Sequence, residues 1–523
     1  MPQMYRLQRA TPLKLEFKTD NSIGVARDGG CELVPNTPTA RKRFNLNITP
    51  TQFRNDFNLN LLKDLRDYQK EDAIFLAQRK NAGCFNQQRT GKTPTSLLSL
   101  KLKGCKKILI ICPASMIPVW KQEFEEWYKA PCIALQGTKV KRLRLLSQWT
   151  DGLVIGYECL RIVDHYDKET GEYINSTGDL TDVLAHKDID AVILDEAHRI
   201  RNYKNKTATA VFKLKNIENK LALTGTPTLK KPEEIYSILH FLYPKLFKSY
   251  WRFIDYYFNK EYRDIWNGRR VIQTTAIGAL RRPEELQEFL DLISTQRKRS
   301  DVMSWLPEKD KQTIYLEPTS GQTKYIKELK EYFETEDITT VGVLDTLLRE
   351  RQICLSPGLL SLADALSPKL DWIKQYISDY PDKQIIIFSK FTQWLKELQT
   401  HLENSALYAG ETTSKQREKI KKDFQAGKLK ILLIQIDAGK EGLTLDKADT
   451  IIFTDKFPPV GDIEQAEDRF VATAKDRVKH DQTIYTLVMK NTYEVNIEKS
   501  LKRSSSELDL INDYQKYLEG GES

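Results

Sequence analysis

The chain has 523 residues, which is enough for two or more domains that each bury a hydrophobic core. Lysine and arginine outnumber aspartate and glutamate by 81 to 72, and the net charge of +9 suits a polyanionic partner without excluding a basic metabolic enzyme. The seven cysteines include no Cys-x-x-Cys pair, which predicts reduced thiols in a cytoplasmic or nuclear-type compartment and no zinc site. The sequence shows no apolar run of membrane-spanning length and no signal peptide, so we expect a protein that does not enter membranes and is not secreted.

Residues 1–60 carry no motif with a recognisable chemistry. Short alternating runs such as Leu13–Lys18, together with the turn signal Asp28-Gly29-Gly30, predict a small β-rich accessory element. The basic triplet Arg41-Lys42-Arg43 is a candidate DNA contact, and a solvated loop is the alternative.

A phosphate-binding loop is indicated at Gly91-Lys92-Thr93. It precedes Pro94–Leu100, which predicts a helix with proline in its first turn, and a helix N-terminus offers free amides and a positive dipole end to phosphate. Lys92 would reach the β- and γ-phosphates of a nucleotide, and the Thr93 hydroxyl would reach Mg²⁺. The full pattern requires a glycine where this chain has Asn86, so the motif by itself is incomplete.

A pair of carboxylates follows a second apolar run. Ala191–Leu194 is typical of a buried strand in a parallel sheet, and Asp195 and Glu196 stand where that strand ends, at the edge where ligands of α/β sheets bind. The first carboxylate can hold Mg²⁺, and the second can orient and deprotonate the water that attacks ATP. A solvated strand end is the alternative, but the order relative to Lys92 favours a nucleotide site.

The segment from Asp195 to Asn202, Asp-Glu-Ala-His-Arg-Ile-Arg-Asn, resembles motif II of the Snf2 group of superfamily 2 helicase-like ATPases, a DEAH box with a basic, apolar, basic, Asn continuation. The likeness extends from about Leu65 to Tyr485. It implies an α/β fold with two RecA-like parallel-sheet lobes and a bound ATP with Mg²⁺. The implied catalytic residues are Lys92, Asp195, Glu196 and Arg469, and the implied metal ligands are Thr93 and Asp195.

The resemblance also assigns roles to other residues of the first lobe. Gln69, whose amide offers the donor and acceptor that an adenine edge needs, would bind the nucleotide with Gly91; an exposed helical glutamine is the alternative. Ser115, in the small residues that end the predicted buried strand Ile108–Ser115, would contact the nucleic-acid backbone. Three residues would couple nucleotide state to nucleic-acid binding: His198, Thr224 and Thr226.

Helices rich in Tyr, Phe and Lys are expected from Ser237 onward, and helical inserts of this kind distinguish Snf2 proteins from simpler helicases. Basic groups in these inserts are candidates for gripping duplex phosphates, although a charge run also suits a solvated face. Three segments here are similar to family segments: Leu280–Leu286, Arg297–Val302 and Leu348–Cys354.

A second α/β unit is predicted from about Ser367, with buried strands such as Gln384–Ser389. Ala438–Leu445 resembles motif V, which implies that Gly442 binds nucleotide and Thr444 binds nucleic acid. The segment Gln465-Ala466-Glu467-Asp468-Arg469 resembles motif VI. This implies that Gln465 binds nucleotide and that Arg469 reaches the γ-phosphate as an arginine finger. A second arginine is usual three residues later, where this chain has Ala472.

We therefore predict an N-terminal accessory element at 1–60, an ATP-binding lobe at 61–236, a helical insertion at 237–366, a second lobe at 367–502 and a polar tail at 503–523. The predicted function is an ATP-dependent translocase on duplex or branched DNA, largely independent of base sequence because phosphate contacts carry no sequence information. One alternative is a strand-separating or branch-migrating helicase. Another is a DNA-binding scaffold with weakened ATPase, suggested by Asn86 and Ala472.

Overall fold

The chain divides into two compact units, Met1–Val302 and Met303–Ser523. The computed structural model describes residues 22–27, 30–35, 37–43, 56–160, 163–166, 173–176, 184, 187–225, 231–266, 271–305, 310–335, 340–362, 367–439, 445–457, 463–464, 466–467, 482–502, 514 and 517. Five predicted site residues lie outside the described residues: Thr226, Gly442, Thr444, Gln465 and Arg469.

The first unit alternates strands and helices. Its strands are β1 Ser22–Arg27, β2 Gly30–Pro35, β3 Asn81–Cys84, β4 Ile108–Cys112, β5 Cys132–Ala134, β6 Gly152–Gly156, β7 Val163–Tyr166, β8 Tyr173–Ser176, β9 Ala191–Asp195, β10 Asn219–Leu223, β11 Phe258–Trp266, β12 Val271–Leu280 and β13 Ser294–Thr295. Its α-helices are α1 Pro38–Arg43, α2 Asp67–Ala77, α3 Lys92–Leu102, α4 Ile117–Glu123, α5 Lys139–Ser147, α6 Lys206–Phe212, α7 Ile235–Leu242, α8 Tyr250–Tyr257, α9 Pro283–Ile293 and α10 Arg299–Val302.

Seven of these strands form one sheet in the order β13-β3-β10-β9-β4-β6-β5, and all neighbouring pairs are parallel. Alternate residues of β4 enter two separate cores, with Leu109 and Ile111 on one face and Ile108 and Ile110 on the other. Burial on both faces explains why the central strands are continuous apolar runs in the sequence. Because the strands are parallel, their carboxyl ends share one edge of the sheet.

The first unit continues past the predicted boundary at residue 236. β13 pairs with β3, and Phe253 and Phe289 pack in the same core as Leu109. The region predicted as a helical insertion, 237–366, is therefore divided between the two units, and it contains the antiparallel hairpin of β11 and β12 as well as helices. β13 consists of two polar residues, so its pairing depends on backbone hydrogen bonds that leave no hydrophobic pattern in the sequence.

The described part of residues 1–60 includes an antiparallel hairpin of β1 and β2 and the short helix α1. The backbone N–H of Thr39 donates to Glu288 of α9 at 2.9 Å, and its hydroxyl donates to the same carboxylate at 2.7 Å. The basic triplet Arg41–Arg43 closes helix α1 rather than lying in a loop.

The second unit has a sheet of its own. Its strands are β14 Asp310–Leu316, β15 Ile385–Ser389, β16 Ser405–Tyr408, β17 Ile431–Gln435, β18 Thr450–Phe453 and β19 Thr483–Met489. They form the order β14-β19-β18-β15-β17-β16 with parallel neighbours throughout. Its α-helices are α11 Ser320–Thr335, α12 Thr340–Leu355, α13 Pro368–Asp379, α14 Thr392–His401, α15 Ser414–Gln425, α16 Ile436–Gly439 and α17 Glu494–Lys502.

Two parallel-sheet units confirm the predicted α/β fold with two RecA-like lobes. As in the first unit, alternate residues of a central strand enter two cores, since Ile386 packs in one cluster and Ile387 in the other. In the ranges that the structure describes, each helix is too short or too polar to cross a lipid bilayer.

Candidate active site

The phosphate loop, residues 85–91, connects the end of β3 to the start of α3. Gly91 has a φ of +79°, and a Cβ at this position would collide with the amide group of Gln69, so only glycine fits without rearrangement. Lys92 is the first residue of α3, so Pro94 lies in the first turn of that helix, as the sequence predicted, although the helix begins two residues before the predicted start. Its ammonium group donates to the backbone carbonyls of Asn86 at 2.9 Å and Gln87 at 3.1 Å.

Gln69 is buried, so the alternative of an exposed helical glutamine does not hold. Its side-chain oxygen accepts from the backbone N–H of Arg66 at 2.9 Å, and its amide nitrogen donates to the carbonyl of Thr90 at 3.0 Å. In this conformation the amide nitrogen of Gln69 braces the phosphate loop at Thr90, and its oxygen caps the start of α2. Binding adenine through the same amide would require an exchange of these partners.

Asp195 ends β9, and its carboxylate has two described donors. The indole N–H of Trp120 donates to one oxygen at 2.7 Å, and the backbone N–H of Glu196 donates to the other at 3.0 Å. The hydroxyl of Tyr157 donates to the Asp195 backbone carbonyl at 2.7 Å, which holds the strand end in place. Desolvation and the negative charge of Glu196 raise the pKa of Asp195 to about 6, while the Trp120 hydrogen bond and the positive charge of Lys92 oppose that rise.

Lys92 follows β3 and Asp195 ends β9, so the phosphate loop and the carboxylate pair Asp195-Glu196, called the acid box below, lie at the same carboxyl edge of the parallel sheet. In the sheet order, β10 alone lies between β3 and β9. The structure therefore brings together Lys92, Asp195 and Glu196 within the first unit. The hydroxyl of Thr93 and the carboxylate of Asp195 supply the oxygen ligands that Mg²⁺ prefers, so the donor set fits this ion.

The acid box is linked to the next strand through a histidine. Nδ1 of His198 lies 3.2 Å from the hydroxyl oxygen of Thr224 and 3.3 Å from a carboxylate oxygen of Glu196. Glu196 itself has a φ of +50°, a left-handed conformation that turns the chain sharply after β9. The structure thus places His198 between the second carboxylate and Thr224, which follows β10.

Ser115 lies in the short 3-10 helix Ala114–Met116, which follows β4. Its side chain is partly exposed at the carboxyl edge of the sheet. This is the same edge at which Asp195 ends β9.

Two basic segments proposed as phosphate grips are engaged inside the protein. Arg351 of α12 is buried and donates to Asp455 at 2.9 Å, with its guanidinium 4.2 Å from the centroid of the Phe457 ring. Arg297 donates to Asp72 at 2.9 Å and to Glu71 at 2.8 Å. For Arg351, both a duplex grip and a solvated face are wrong, because charge patterns in a sequence do not reveal partners that lie far away in the chain. The Arg297 side chain is ion-paired but 32% exposed, so a phosphate contact there stays a prediction.

Trp120 and Tyr157 are site residues that the sequence analysis did not identify. A tryptophan or tyrosine in an otherwise apolar core usually needs a partner for its N–H or O–H group. Trp120 and Tyr157 are each 1% exposed, so that requirement applies to both. The sequence signal that could have identified them is a tryptophan or tyrosine close to the end of a predicted buried strand.

Comparison with known proteins places the chain in a family. The SNF2-related domain matches residues 35–359, and the helicase conserved C-terminal domain matches residues 368–471. Chromodomain-helicase-DNA-binding protein 9 of Mus musculus is 27% identical over 514 residues, which cover 88% of this chain and 17% of that protein. The Homo sapiens DNA annealing helicase and endonuclease ZRANB3 is 25% identical over 462 residues, which cover 83% of this chain and 40% of that protein.

The solved Sulfolobus solfataricus SWI2/SNF2 ATPase core in complex with dsDNA is 22% identical and has a TM-score of 0.38, with 86% of this chain and 93% of that chain covered. The chain spans less than half of the length of the two relatives named above. The first family match covers more than half of the chain, including Lys92, Asp195 and Glu196. The chain therefore belongs to the SNF2-related domain family, with a helicase conserved C-terminal domain in its second unit.

Proposed function

We propose that this chain hydrolyses ATP to ADP and phosphate and uses the reaction to move along duplex DNA. The observation that carries the proposal is the position of Lys92, Asp195 and Glu196 at one edge of the first sheet, after two strands that only β10 separates. Family membership adds the expectation of a nucleotide-driven motor.

The residues of the first unit divide the chemistry among them. Lys92 would leave the carbonyls of Asn86 and Gln87 to neutralise the β- and γ-phosphates. Glu196 would accept a proton from the attacking water. The water oxygen would bond to the γ-phosphorus while the bond between the γ-phosphorus and the β-phosphate oxygen breaks. A Mg²⁺ ion held by Asp195 and Thr93 would supply positive charge to the phosphate oxygens.

The second unit would contribute a guanidinium to the transition state. Arg469 is the proposed arginine finger, and Gln465 and Gly442 are proposed nucleotide contacts. The proposed DNA contacts are Ser115 on the first unit and Thr444 on the second. His198 and Thr224 would report the state of the acid box to the DNA side, since His198 already contacts both Glu196 and Thr224.

DNA as the partner is supported by the names of the relatives, which include a DNA-binding helicase protein and a DNA annealing helicase. Binding through hydroxyl groups to phosphates would be largely independent of base sequence. It would also weaken as salt concentration rises.

The test is ATP hydrolysis by the purified chain with and without duplex DNA. We expect stimulation by duplex DNA, a loss of activity in Lys92→Ala, and a loss of about 10²–10⁴-fold in Glu196→Gln, the range for a positioned general base. Equal rates for the wild type and both variants would refute the ATPase proposal. DNA binding without Lys92-dependent turnover would instead indicate the scaffold with weakened ATPase.

A branch-migrating or annealing helicase is the second candidate, favoured by the similarity to ZRANB3, which is named a DNA annealing helicase. Two experiments separate the translocase from the helicase. The first compares ATPase stimulation by single-stranded DNA, duplex DNA, branched DNA and RNA, and the second measures strand displacement on forked, four-way and plain duplexes. Greatest stimulation by plain duplex without strand displacement supports the translocase. Remodelling of forked or four-way substrates supports the helicase.

A further inference from the structure

The last segment of the first unit lies alongside the phosphate loop. The pairing of β13 with β3 continues beyond the strands, because the backbone N–H of Phe85 donates to Thr295 at 2.8 Å and that of Gln87 donates to the carbonyl of Arg297 at 3.0 Å. The segment after β13 therefore follows the loop past the end of β3. Nothing in the local sequence around Lys92 indicates this neighbour.

Side chains of the loop complete the attachment. The backbone N–H of Arg297 donates to the side-chain oxygen of Asn86 at 2.9 Å. The backbone N–H of Arg299 donates to the side-chain oxygen of Gln87 at 2.7 Å. Consecutive loop residues are thus each held by a side-chain hydrogen bond to the same distant segment.

The guanidinium of Arg297 closes a network with helix α2. It donates to Asp72 at 2.9 Å and to Glu71 at 2.8 Å, and the amide of Asn86 donates to the other oxygen of Asp72 at 2.7 Å. Asp72 is 1% exposed and Asn86 is 2% exposed. A buried carboxylate is costly unless it is paired and hydrogen-bonded, so removing the Arg297 side chain leaves Asp72 inadequately compensated.

This network ends at the catalytic lysine. Asn86 and Gln87, whose side chains are held by the Arg297–Arg299 segment, are also the two residues whose carbonyls accept from Lys92. Asn86 is not among the described residues with positive φ, so the backbone at this point does not require glycine. Its side chain instead gives the loop an anchor that glycine lacks.

We infer that Arg297 is a positioning residue for ATP binding. Its guanidinium holds Asp72, which accepts from Asn86, and its backbone bonds directly to Asn86 and Gln87, the residues whose carbonyls locate the Lys92 ammonium group. Asn86 compensates for the glycine missing from the loop motif by anchoring the loop to Asp72 and to the Arg297 backbone. This inference rests on the proposed nucleotide site but concerns how that site is held rather than what it does.

The test combines Arg297→Ala, Arg297→Lys and Asn86→Gly, each measured by titration with a fluorescent ATP analogue and by steady-state ATPase kinetics. Losing a charge-assisted hydrogen-bond network should weaken analogue binding and raise KM for ATP by roughly 10- to 100-fold in Arg297→Ala. The kcat at saturating ATP should change much less. Arg297→Lys should recover part of the affinity, since lysine restores a positive charge beside Asp72 but cannot donate to Asp72 and Glu71 with the planar geometry of a guanidinium.

Asn86→Gly restores the usual glycine of the loop motif and is the sharpest variant. We expect it to weaken analogue binding, because both hydrogen bonds of the Asn86 side chain, to Asp72 and to the Arg297 backbone, are lost. Binding equal to or tighter than that of the wild type would overturn the compensating role of Asn86.

Arg79→Ala is the matched control. Arg79 is a buried arginine just after α2 that donates to the backbone carbonyls of Leu292 at 2.7 Å and Phe75 at 2.8 Å, both outside the loop. We expect a lower Tm with unchanged analogue affinity. Equal affinity losses in Arg79→Ala and Arg297→Ala, or no loss in Arg297→Ala, would overturn the inference.

The inference and the proposed function fail separately. Unchanged ATPase in Lys92→Ala removes the proposed function, whereas the analogue titration still measures the effect of Arg297 on nucleotide binding. A Lys92-dependent ATPase whose KM is insensitive to Arg297→Ala leaves the proposed function intact and removes the positioning role.

Discussion

The indole N–H of Trp120 donates to the carboxylate of Asp195 at 2.7 Å, so a buried aromatic residue of α4 orients the proposed metal ligand at the end of β9. The residue that the sequence marks as catalytic is therefore held by one that it does not mark. Groups behind a metal ligand commonly matter almost as much as the ligand itself.

Trp120→Phe should lower the ATPase rate at limiting Mg²⁺ by about 10- to 100-fold, because such supporting groups are typically worth that much in metal affinity or activity. Phenylalanine keeps most of the buried volume and removes only the donor. The measurement is ATPase rate against Mg²⁺ concentration.

Trp149→Phe is the control for this variant. Trp149 is also buried in the first unit, and its indole N–H donates to the backbone carbonyl of Asp151 at 3.0 Å. It should leave the Mg²⁺ dependence unchanged. If the two variants shift the Mg²⁺ dependence equally, Trp120 has no special role toward Asp195.

Thr224→Val should reduce the ratio of DNA-stimulated to DNA-free ATPase. Valine matches the shape of threonine but removes the hydroxyl that lies 3.2 Å from Nδ1 of His198. The measurement is ATPase rate at saturating ATP over a range of duplex concentrations. Thr450→Val, which removes a buried hydroxyl 2.8 Å from Tyr376 in the second unit, is the control, and an equal loss in both would argue against coupling through His198.

Arg351→Met should destabilise the second unit by about 3–5 kcal/mol, the usual cost of breaking a buried ion pair. Arg351 and Asp455 have side chains that are 3% and 2% exposed, and the variant leaves the carboxylate buried beside Ser389 and the Lys390 backbone. Urea unfolding measures the change.

The control lies on the same helix. Arg349 pairs with Asp345 at 2.7 Å, but these side chains are 53% and 59% exposed. Such surface pairs contribute about 0.3–0.5 kcal/mol, so Arg349→Ala should leave the unfolding midpoint nearly unchanged. A small effect of Arg351→Met would show that Asp455 finds another partner.

The stability of the first unit should fall as pH drops below about 6.5. His240 is partly buried with its Nδ1 2.7 Å from the carbonyl of Phe247, and burial lowers the pKa of His240 from 6.5. Between that lowered value and 6.5 the unfolded chain binds the proton that the folded unit excludes, so lowering the pH through this window favours unfolding. Below the folded pKa, this contribution to the pH dependence levels off.

His240→Gln removes this titration while keeping a donor for Phe247. Thermal unfolding from pH 7.5 to 5 should show a weaker pH dependence in this variant than in the wild type. His401→Gln, at the exposed end of α14 in the second unit, is the control. An unchanged pH dependence in His240→Gln would assign the effect to other groups.

Local patterns predicted the elements whose residues are buried on both faces. The apolar runs of β4 and β9 are central parallel strands, and Pro94 lies in the first turn of α3, as predicted. These features were predictable because hydrophobic runs and helix-start signals are set by residues close together in the chain.

The partners of polar residues were not predictable in the same way. The sequence around Arg297 indicates a basic segment, but the partners of Arg297 lie 211 to 226 positions away at Asn86, Asp72 and Glu71. Adenine binding by Gln69 stays a prediction, and the sequence did not indicate that its amide donates to Thr90. A charge or an amide has the same sequence signature whether it meets solvent, ligand or another side chain.

The sequence by itself determined the two α/β units, the loop around Lys92 and the acid box, because strand burial and helix starts are encoded by neighbouring residues. Only the tertiary structure decided that β13 completes the first sheet, that Trp120 orients Asp195 and that Asn86 serves where a glycine is usual. The physical reason is that hydrogen bonds between distant segments depend on the folded geometry, which no local pattern records.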